Sequence, residues 1–113
     1  MKNVEAVLLV KFKSTYNPVE LKSICQEDLK IFRNVPGLVQ KYYLTEESTG
    51  AISGVYLFES KNARTAFWNS DLAGNIPARY GMIVETLRVE QYEMLIVLND
   101  FATAKEHDYV QIL

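Results

Sequence analysis

Apolar and polar residues alternate along four stretches of the chain, and this alternation predicts four β-strands. The predicted strands cover residues 4–13, 38–46, 51–59 and 82–92. In the first strand, the phase that begins at Val4 is wholly apolar, and the other phase is apolar at Val7 and Leu9. Both faces of this strand are therefore expected to be partly buried. A further apolar run at residues 94–98 predicts either a fifth strand or an extension of the fourth.

Apolar residues at steps of three and four predict a first helix from Pro18 to about residue 34. Asn17 is a good N-cap, Pro18 suits the first helical position, and Glu20 completes a capping box. A Pro-Gly pair at residues 36–37 ends the helix. The stripe of this helix that is expected to face the core comprises Leu21, Ile24, Cys25, Asp28, Leu29 and Phe32. Asp28 is its one polar residue.

The second predicted helix begins after Ser60, a suitable N-cap, and runs from residue 61 to about residue 70. It carries Phe67 and Trp68 and follows an aromatic-rich hairpin. We therefore expect an apolar cleft between the hairpin and the helix. Residues 71–81 are expected to be irregular because they contain the helix breakers Gly74, Pro77 and Gly81.

The order strand-helix-strand-strand-helix-strand predicts an α+β fold, a ferredoxin-like four-stranded antiparallel sheet with two helices on one face. Two helices cover only one face of such a sheet, and the other face also carries apolar and aromatic residues. A monomer rarely exposes so much apolar surface, so we predict a homodimer whose sheet faces meet. This domain is expected to span residues 1–98, followed by a tail at residues 99–113.

Composition narrows the classes of partner. A net charge of -2 without a basic run gives a nucleic-acid partner little support. Cys25 is the only cysteine, which precludes an internal disulfide and fits a reducing compartment.

The apolar run at residues 6–10 is too short to span a membrane, so we predict a cytoplasmic protein without a membrane contact. Glycine-rich phosphate loops, paired cysteines and zinc-protease motifs are all missing from the sequence, and we predict no cofactor and no metal.

Several segments in a defined order resemble a known family. They are VKFK at residues 10–13, FRNVPGL at 32–38, KYYL at 41–44, GVYLFES at 54–60, AF at 66–67 and SDL at 70–72. Over about residues 4–98, the chain resembles the YdhR-like monooxygenases of the dimeric α+β barrel superfamily. The resemblance implies a dimeric barrel with a pocket in each subunit between helices and sheet. It also implies a cofactor-independent monooxygenase that acts on a small aromatic or phenolic substrate.

Aromatic residues are the candidates for binding such a substrate, and we assign this role to Tyr43, Tyr56, Phe67, Trp68 and Tyr80. Trp68 with Asn62 resembles a tryptophan-asparagine pair of some superfamily oxygenases, which makes the two residues candidate catalytic groups. A six-residue step turns them about 240° apart on a helix, however, so Trp68 can equally be a core or interface residue. Packing in the core or at the dimer interface is likewise the alternative for each tyrosine.

Charged groups offer few catalytic candidates. Lys41 and Arg88 could stabilise an anionic substrate if buried, with solvent or a salt bridge as the alternative. His107 is the only histidine and lies in the tail, where an exposed, non-catalytic role is expected. Because the sequence offers no convincing acid-base pair, the alternative function is a non-catalytic ligand-binding or regulatory homodimer.

Overall fold

Four antiparallel strands form one sheet in this computed structural model, which describes residues 3–98. The strand order across the sheet is β2-β3-β1-β4. The strands are β1 Ala6–Phe12, β2 Leu38–Thr45, β3 Ile52–Phe58 and β4 Arg88–Glu93. The prediction of a ferredoxin-like α+β fold is thereby confirmed. The predicted tail at residues 99–113, including His107, lies outside the described residues.

The helices occupy one face of the sheet and number more than the two predicted. They are α1 Pro18–Glu27, α2 Leu29–Arg33, α3 Lys61–Trp68, α4 Asp71–Gly74 and α5 Ile76–Arg79. The capping box at the start of α1 forms as expected. The Asn17 side chain accepts from the Glu20 amide at 2.8 Å, and the Glu20 carboxylate accepts from the Asn17 amide at 3.1 Å.

Two predictions about the helices were wrong. The first helix does not continue to residue 34, because the backbone leaves the α conformation at Asp28, where α1 gives way to α2. The segment expected to be irregular contains α4 and α5. Ser70 caps α4 by accepting from the Ala73 amide at 3.3 Å, and Pro77 stands at the start of α5, where no amide donor is required.

The fourth strand begins six residues later than predicted, at Arg88. A 3-10 turn at Val84–Thr86 intervenes, held by a 2.9 Å bond from the Thr86 amide to the Ile83 carbonyl. Residues 94–98 form neither a fifth strand nor an extension of β4, since the structure describes these residues and they form no strand. Only the Met94 amide continues the pairing, by donating to the Glu5 carbonyl at 2.9 Å.

The core lies between the sheet and the helices. Alternate residues of β1 face the helices and are almost fully buried, namely Ala6, Leu8, Val10 and Phe12. Above them lies an aromatic cluster in which the Phe67 ring is 4.9 Å from that of Tyr56 and 5.7 Å from that of Phe58. These contacts fix α3 firmly on the middle of the sheet.

The opposite face of the sheet has no layer upon it within residues 3–98. Tyr42 and Leu44 of β2 and Tyr92 of β4 are each about half exposed there. The intervening apolar side chains are Val7, Leu9, Val55 and Leu57, which the strand register places on this same face. The sheet is therefore apolar on both sides, as the sequence pattern predicted. Every helix in this part of the chain is too short or too polar to cross a bilayer.

Candidate functional site

A cleft opens between the α1–α2 segment and strand β2. It consists of three adjoining cavities that share the side chain of Tyr43. The lysine cavity, of about 430 Å³, is lined by Leu29, Phe32, Arg33, Leu38, Val39, Gln40, Lys41 and Tyr43. The loop cavity, of about 480 Å³, lies beyond Tyr43 and includes Tyr16, Leu21, Lys22, Cys25, Leu29 and Ile52. A small inner cavity reaches into the core toward Tyr56 and Tyr80.

A β-bulge in β2 shapes the lysine cavity. Leu38 pairs with Phe58 and Gln40 pairs with Leu57, so the register shifts by one residue between them. Leu38 and Lys41 therefore both face the helices, although an odd number of positions separates them. The unpaired residue, Val39, itself lines the lysine cavity.

Lys41 is the unusual charged group of this cleft. Its Nζ lies 3.4 Å from the centroid of the Phe32 ring, 4.1 Å from that of Tyr43 and 4.5 Å from that of Tyr56. Among the described residues, its amine has no hydrogen bond and no ion pair. Burial lowers the pKa of Lys41 to about 7, although the nearby Cys25 and Asp28 act in the opposite direction. The three ring faces compensate only part of the lost hydration.

Tyr43 provides a second polar group without a partner. Its hydroxyl is buried and makes no hydrogen bond within residues 3–98. Burial raises the pKa of Tyr43 well above its ordinary value, so the phenol stays protonated and remains a donor. A buried hydroxyl without a partner costs free energy, and a ligand oxygen in the cleft would satisfy it.

The acidic group nearest the cleft is already fully engaged. Asp28 accepts from the Tyr80 hydroxyl at 2.8 Å and from the Arg79 guanidinium at 3.0 and 3.1 Å. Burial alone would raise the pKa of Asp28, but these hydrogen bonds hold it below its ordinary value. Asp28 therefore fixes α5 to the α1–α2 junction and is a poor base. Burial raises the pKa of the Cys25 thiol, which leaves Lys41 as the candidate base of the cleft.

The structure brings together some of the predicted site residues and leaves others apart. Tyr43, Tyr56 and Tyr80 line the inner cavity side by side. Phe67 lies behind Tyr56 in the core and lines a separate surface groove between α2 and α3. Trp68 packs against the core and Asn62 is exposed, and neither side chain lines the cleft.

The other charged candidates have ordinary surroundings. Arg88 is exposed on β4 and forms an ion pair with Glu90 at 2.9 Å. Lys41 instead shares the inner face of β2 with Tyr43, and this two-residue spacing was the signal in the sequence that could have paired them. Within the described range, His, Cys, Asp and Glu side chains nowhere gather in a group that could hold a metal ion.

The fold and cleft define the class to which the chain is structurally similar. No family model and no curated protein matches its sequence. Its α+β architecture is shared with a monooxygenase, a cofactor-independent oxygenase and a protein of unknown function.

Three solved structures illustrate the similarity. SnoaB, a cofactor-independent oxygenase from Streptomyces nogalater, is 17% identical with a TM-score of 0.66, over 87% of this chain and 100% of SnoaB. The ActVA-Orf6 monooxygenase from Streptomyces coelicolor, solved with nanaomycin D, is 16% identical with a TM-score of 0.63, over 84% and 91% of the chains. A protein of unknown function from Nitrosomonas europaea is 15% identical with a TM-score of 0.66, over 83% and 92%. At these identities the similarity demonstrates the fold.

Proposed function

We propose that this chain is a YdhR-like monooxygenase that oxidises a small aromatic or phenolic substrate with molecular oxygen and without a cofactor. The observation that carries the proposal is the juxtaposition of the Lys41 amine and the Tyr43 hydroxyl in an aromatic-lined cleft, neither of which has a hydrogen bond within residues 3–98. The names of two similar structures add support, since one is a cofactor-independent oxygenase and the other binds nanaomycin D.

The chemistry requires only the substrate and oxygen. A phenol and O₂ give a quinone and water, so one oxygen atom enters the product and the substrate supplies all four electrons. The phenol must first lose its proton, because the phenolate gives an electron to oxygen far more readily. The resulting radical and superoxide combine to form a C–O bond. Cleavage of the O–O bond, with loss of the proton on that carbon, then yields the carbonyl group and water.

Lys41 and Tyr43 take complementary roles in this proposal. With a pKa of about 7, a large fraction of Lys41 is neutral near neutral pH and can accept the phenol proton. The ammonium ion formed then stays beside the phenolate and stabilises it in a poorly hydrated site. The Tyr43 hydroxyl donates a hydrogen bond to the same oxygen. Trp68 and Asn62, the candidates from the sequence, lie outside the cleft and have no part in this scheme.

Oxygen uptake over a panel of phenols and quinols tests the proposal. We expect Lys41→Met to lower kcat at least about 100-fold and Tyr43→Phe to lower it about tenfold. Lys30→Met is the matched control, because Lys30 is exposed and lines no part of the cleft. Uptake that survives Lys41→Met would contradict the assigned base. Ligand binding without uptake over the whole panel would favour the non-catalytic ligand-binding homodimer.

The proposed enzyme is a cytoplasmic homodimer joined through the outer faces of its sheets. The half-exposed Tyr42, Leu44 and Tyr92 support this assembly, because their burial returns roughly 25 cal/mol per Å² of apolar surface. Residues 95–98 add further exposed apolar side chains beside β4. Sedimentation at micromolar concentration is expected to show two subunits, and a stable single subunit would contradict the assembly.

A further inference from the structure

The cleft is lined by basic residues and by no acidic residue of the described chain. Arg33 and Lys41 line the lysine cavity, and Lys22 lines the loop cavity. The chain as a whole carries a net charge of -2, so this bias does not follow from composition. A cavity with only positive charge on its walls favours an anionic ligand.

Ion pairing separates these residues from most other basic residues. Away from the cleft, Lys61 pairs with Glu93 at 2.9 Å, and Arg79 pairs with Glu27 at 2.8 Å. Lys22, Arg33 and Lys41 have no acidic partner within residues 3–98. Lys13, Lys30 and Arg64 are also without one among the described residues, but they lie outside the cleft. The positive charge of the cleft is thus available to a ligand.

Arg33 and Lys41 face the same apolar space from two positions. Leu29, Phe32 and Leu38 also line the lysine cavity, where Arg33 is exposed and Lys41 is partly buried. The Lys41 amine already covers the Phe32 ring, so an aromatic ligand in this cavity would direct one polar group toward Lys41 and another toward Arg33. The planar guanidinium fork of an arginine matches a carboxylate through two parallel hydrogen bonds.

We infer that the substrate is a hydroxyaryl carboxylate, whose phenol lies at Lys41 and Tyr43 and whose carboxylate is held by Arg33. This inference rests on the proposed function, since it names the substrate class of the same site. Arg33 is a specificity-determining residue in this arrangement and takes no part in the proton transfer. A singly charged carboxylate suits it, because the group stays partly hydrated at the edge of the cavity.

Anaerobic binding measurements test the inference, since binding without oxygen is independent of turnover. The probes are 2-naphthol and 6-hydroxy-2-naphthoate, which differ only by the carboxylate. We expect the carboxylate to tighten binding about fivefold, as exposed charge pairs do, and 0.5 M salt to remove most of this gain. Arg33→Met should abolish the gain, so that the two probes bind this variant with equal affinity. The control Lys30→Met removes the same charge from the same helix and should retain the gain.

Equal affinity for the two probes would overturn the inference, and so would a gain that persists in Arg33→Met. Either result leaves the proposed oxygenation of phenols intact. Conversely, a carboxylate gain that depends on Arg33, without oxygen uptake on any phenol, would support the inference on ligand class and overturn the proposed reaction. Failure of both probes to bind would overturn the assignment of the cleft itself.

Discussion

Two basic side chains reach inward from opposite halves of the molecule, and their surroundings differ. Arg64 of α3 is 9% exposed, and its guanidinium donates to the Tyr92 carbonyl at 2.9 Å and the Val7 carbonyl at 3.3 Å. Lys41 of β2 faces three aromatic rings and has no hydrogen bond in the described chain. Arg64 is bound to the sheet backbone, although its Nε has no hydrogen-bond partner in the described chain, whereas the Lys41 amine has no hydrogen bond there at all.

The same contrast extends to the helices around these side chains. Phe67 of α3 is 3% exposed and packs on three aromatic rings, whereas Leu29 of α2 is 36% exposed and lines the open cleft. In the half that contains α3 this helix packs directly on the sheet, whereas in the half that contains α2 only Phe32 of that helix is buried and Leu29 stays at the open cleft. Stability and ligand binding are therefore expected to depend on different halves of the fold.

The largest effect is expected from truncating the packed half. Phe67→Ala should lower the free energy of unfolding by about 4 kcal/mol, because it removes a buried ring and leaves a cavity among aromatic residues. Leu29→Ala in the open half should cost less than about 1 kcal/mol. Urea denaturation measures both values. Equal losses at the two positions would show that the cleft half is packed as firmly as the other.

The packed half could be predicted from the sequence because local signals determine it. Alternation in β1 and β3 identified both buried faces, and the cap Ser60 marked the start of α3. These signals act between residues close in the chain or between strands of simple register. They were sufficient for the fold and for the apolar outer face.

The open half was predicted less well because distant residues determine it. Asp28 interrupted the apolar stripe of the first helix, but its partners Arg79 and Tyr80 lie 51 and 52 positions away. The isolation of Lys41 likewise depends on rings from a helix and two strands. A periodicity analysis places such a lysine on a face of the sheet but does not reveal which groups surround it.

An intermediate effect is expected from removing the structural cation. Arg64→Met should lower the free energy of unfolding by about 2 kcal/mol, because two carbonyl groups lose a charged donor while the apolar stem is retained. Arg33→Met is the matched control, since Arg33 is exposed and has no partner among the described residues, and it should change stability by less than about 0.5 kcal/mol. If Arg64→Met left the free energy of unfolding unchanged, the fold would not depend on Arg64, just as we expect it not to depend on Lys41.

The smallest effect is a pH dependence that belongs to Lys41. Burial lowers the pKa of Lys41 in the folded chain to about 7, whereas the unfolded chain keeps the ordinary value of 10.5. Between these two values the unfolded state binds more protons, so stability rises with pH, and the penalty for a buried charge is complete only below about pH 7. Cys25, Asp28 and the neighbouring tyrosines also face this amine, and Arg79 is bound to Asp28. They remain in the variant, so a comparison largely cancels their own titration.

Relative to Lys41→Met, the wild-type chain should therefore gain about 1–2 kcal/mol of stability between pH 7 and pH 10. A lowering of the pKa from 10.5 to about 7 corresponds to a full linkage value of roughly 5 kcal/mol, at 1.36 kcal/mol per pKa unit. The expected gain lies well below this value, because Lys41 retains some contact with solvent. At pH 7, Lys41→Met should be at least as stable as the wild type, in contrast to Arg64→Met. Urea denaturation over this pH range checks both statements. A pH profile shared by wild type and Lys41→Met would mean that the amine finds a charged partner or water, and the contrast between the two cations would disappear.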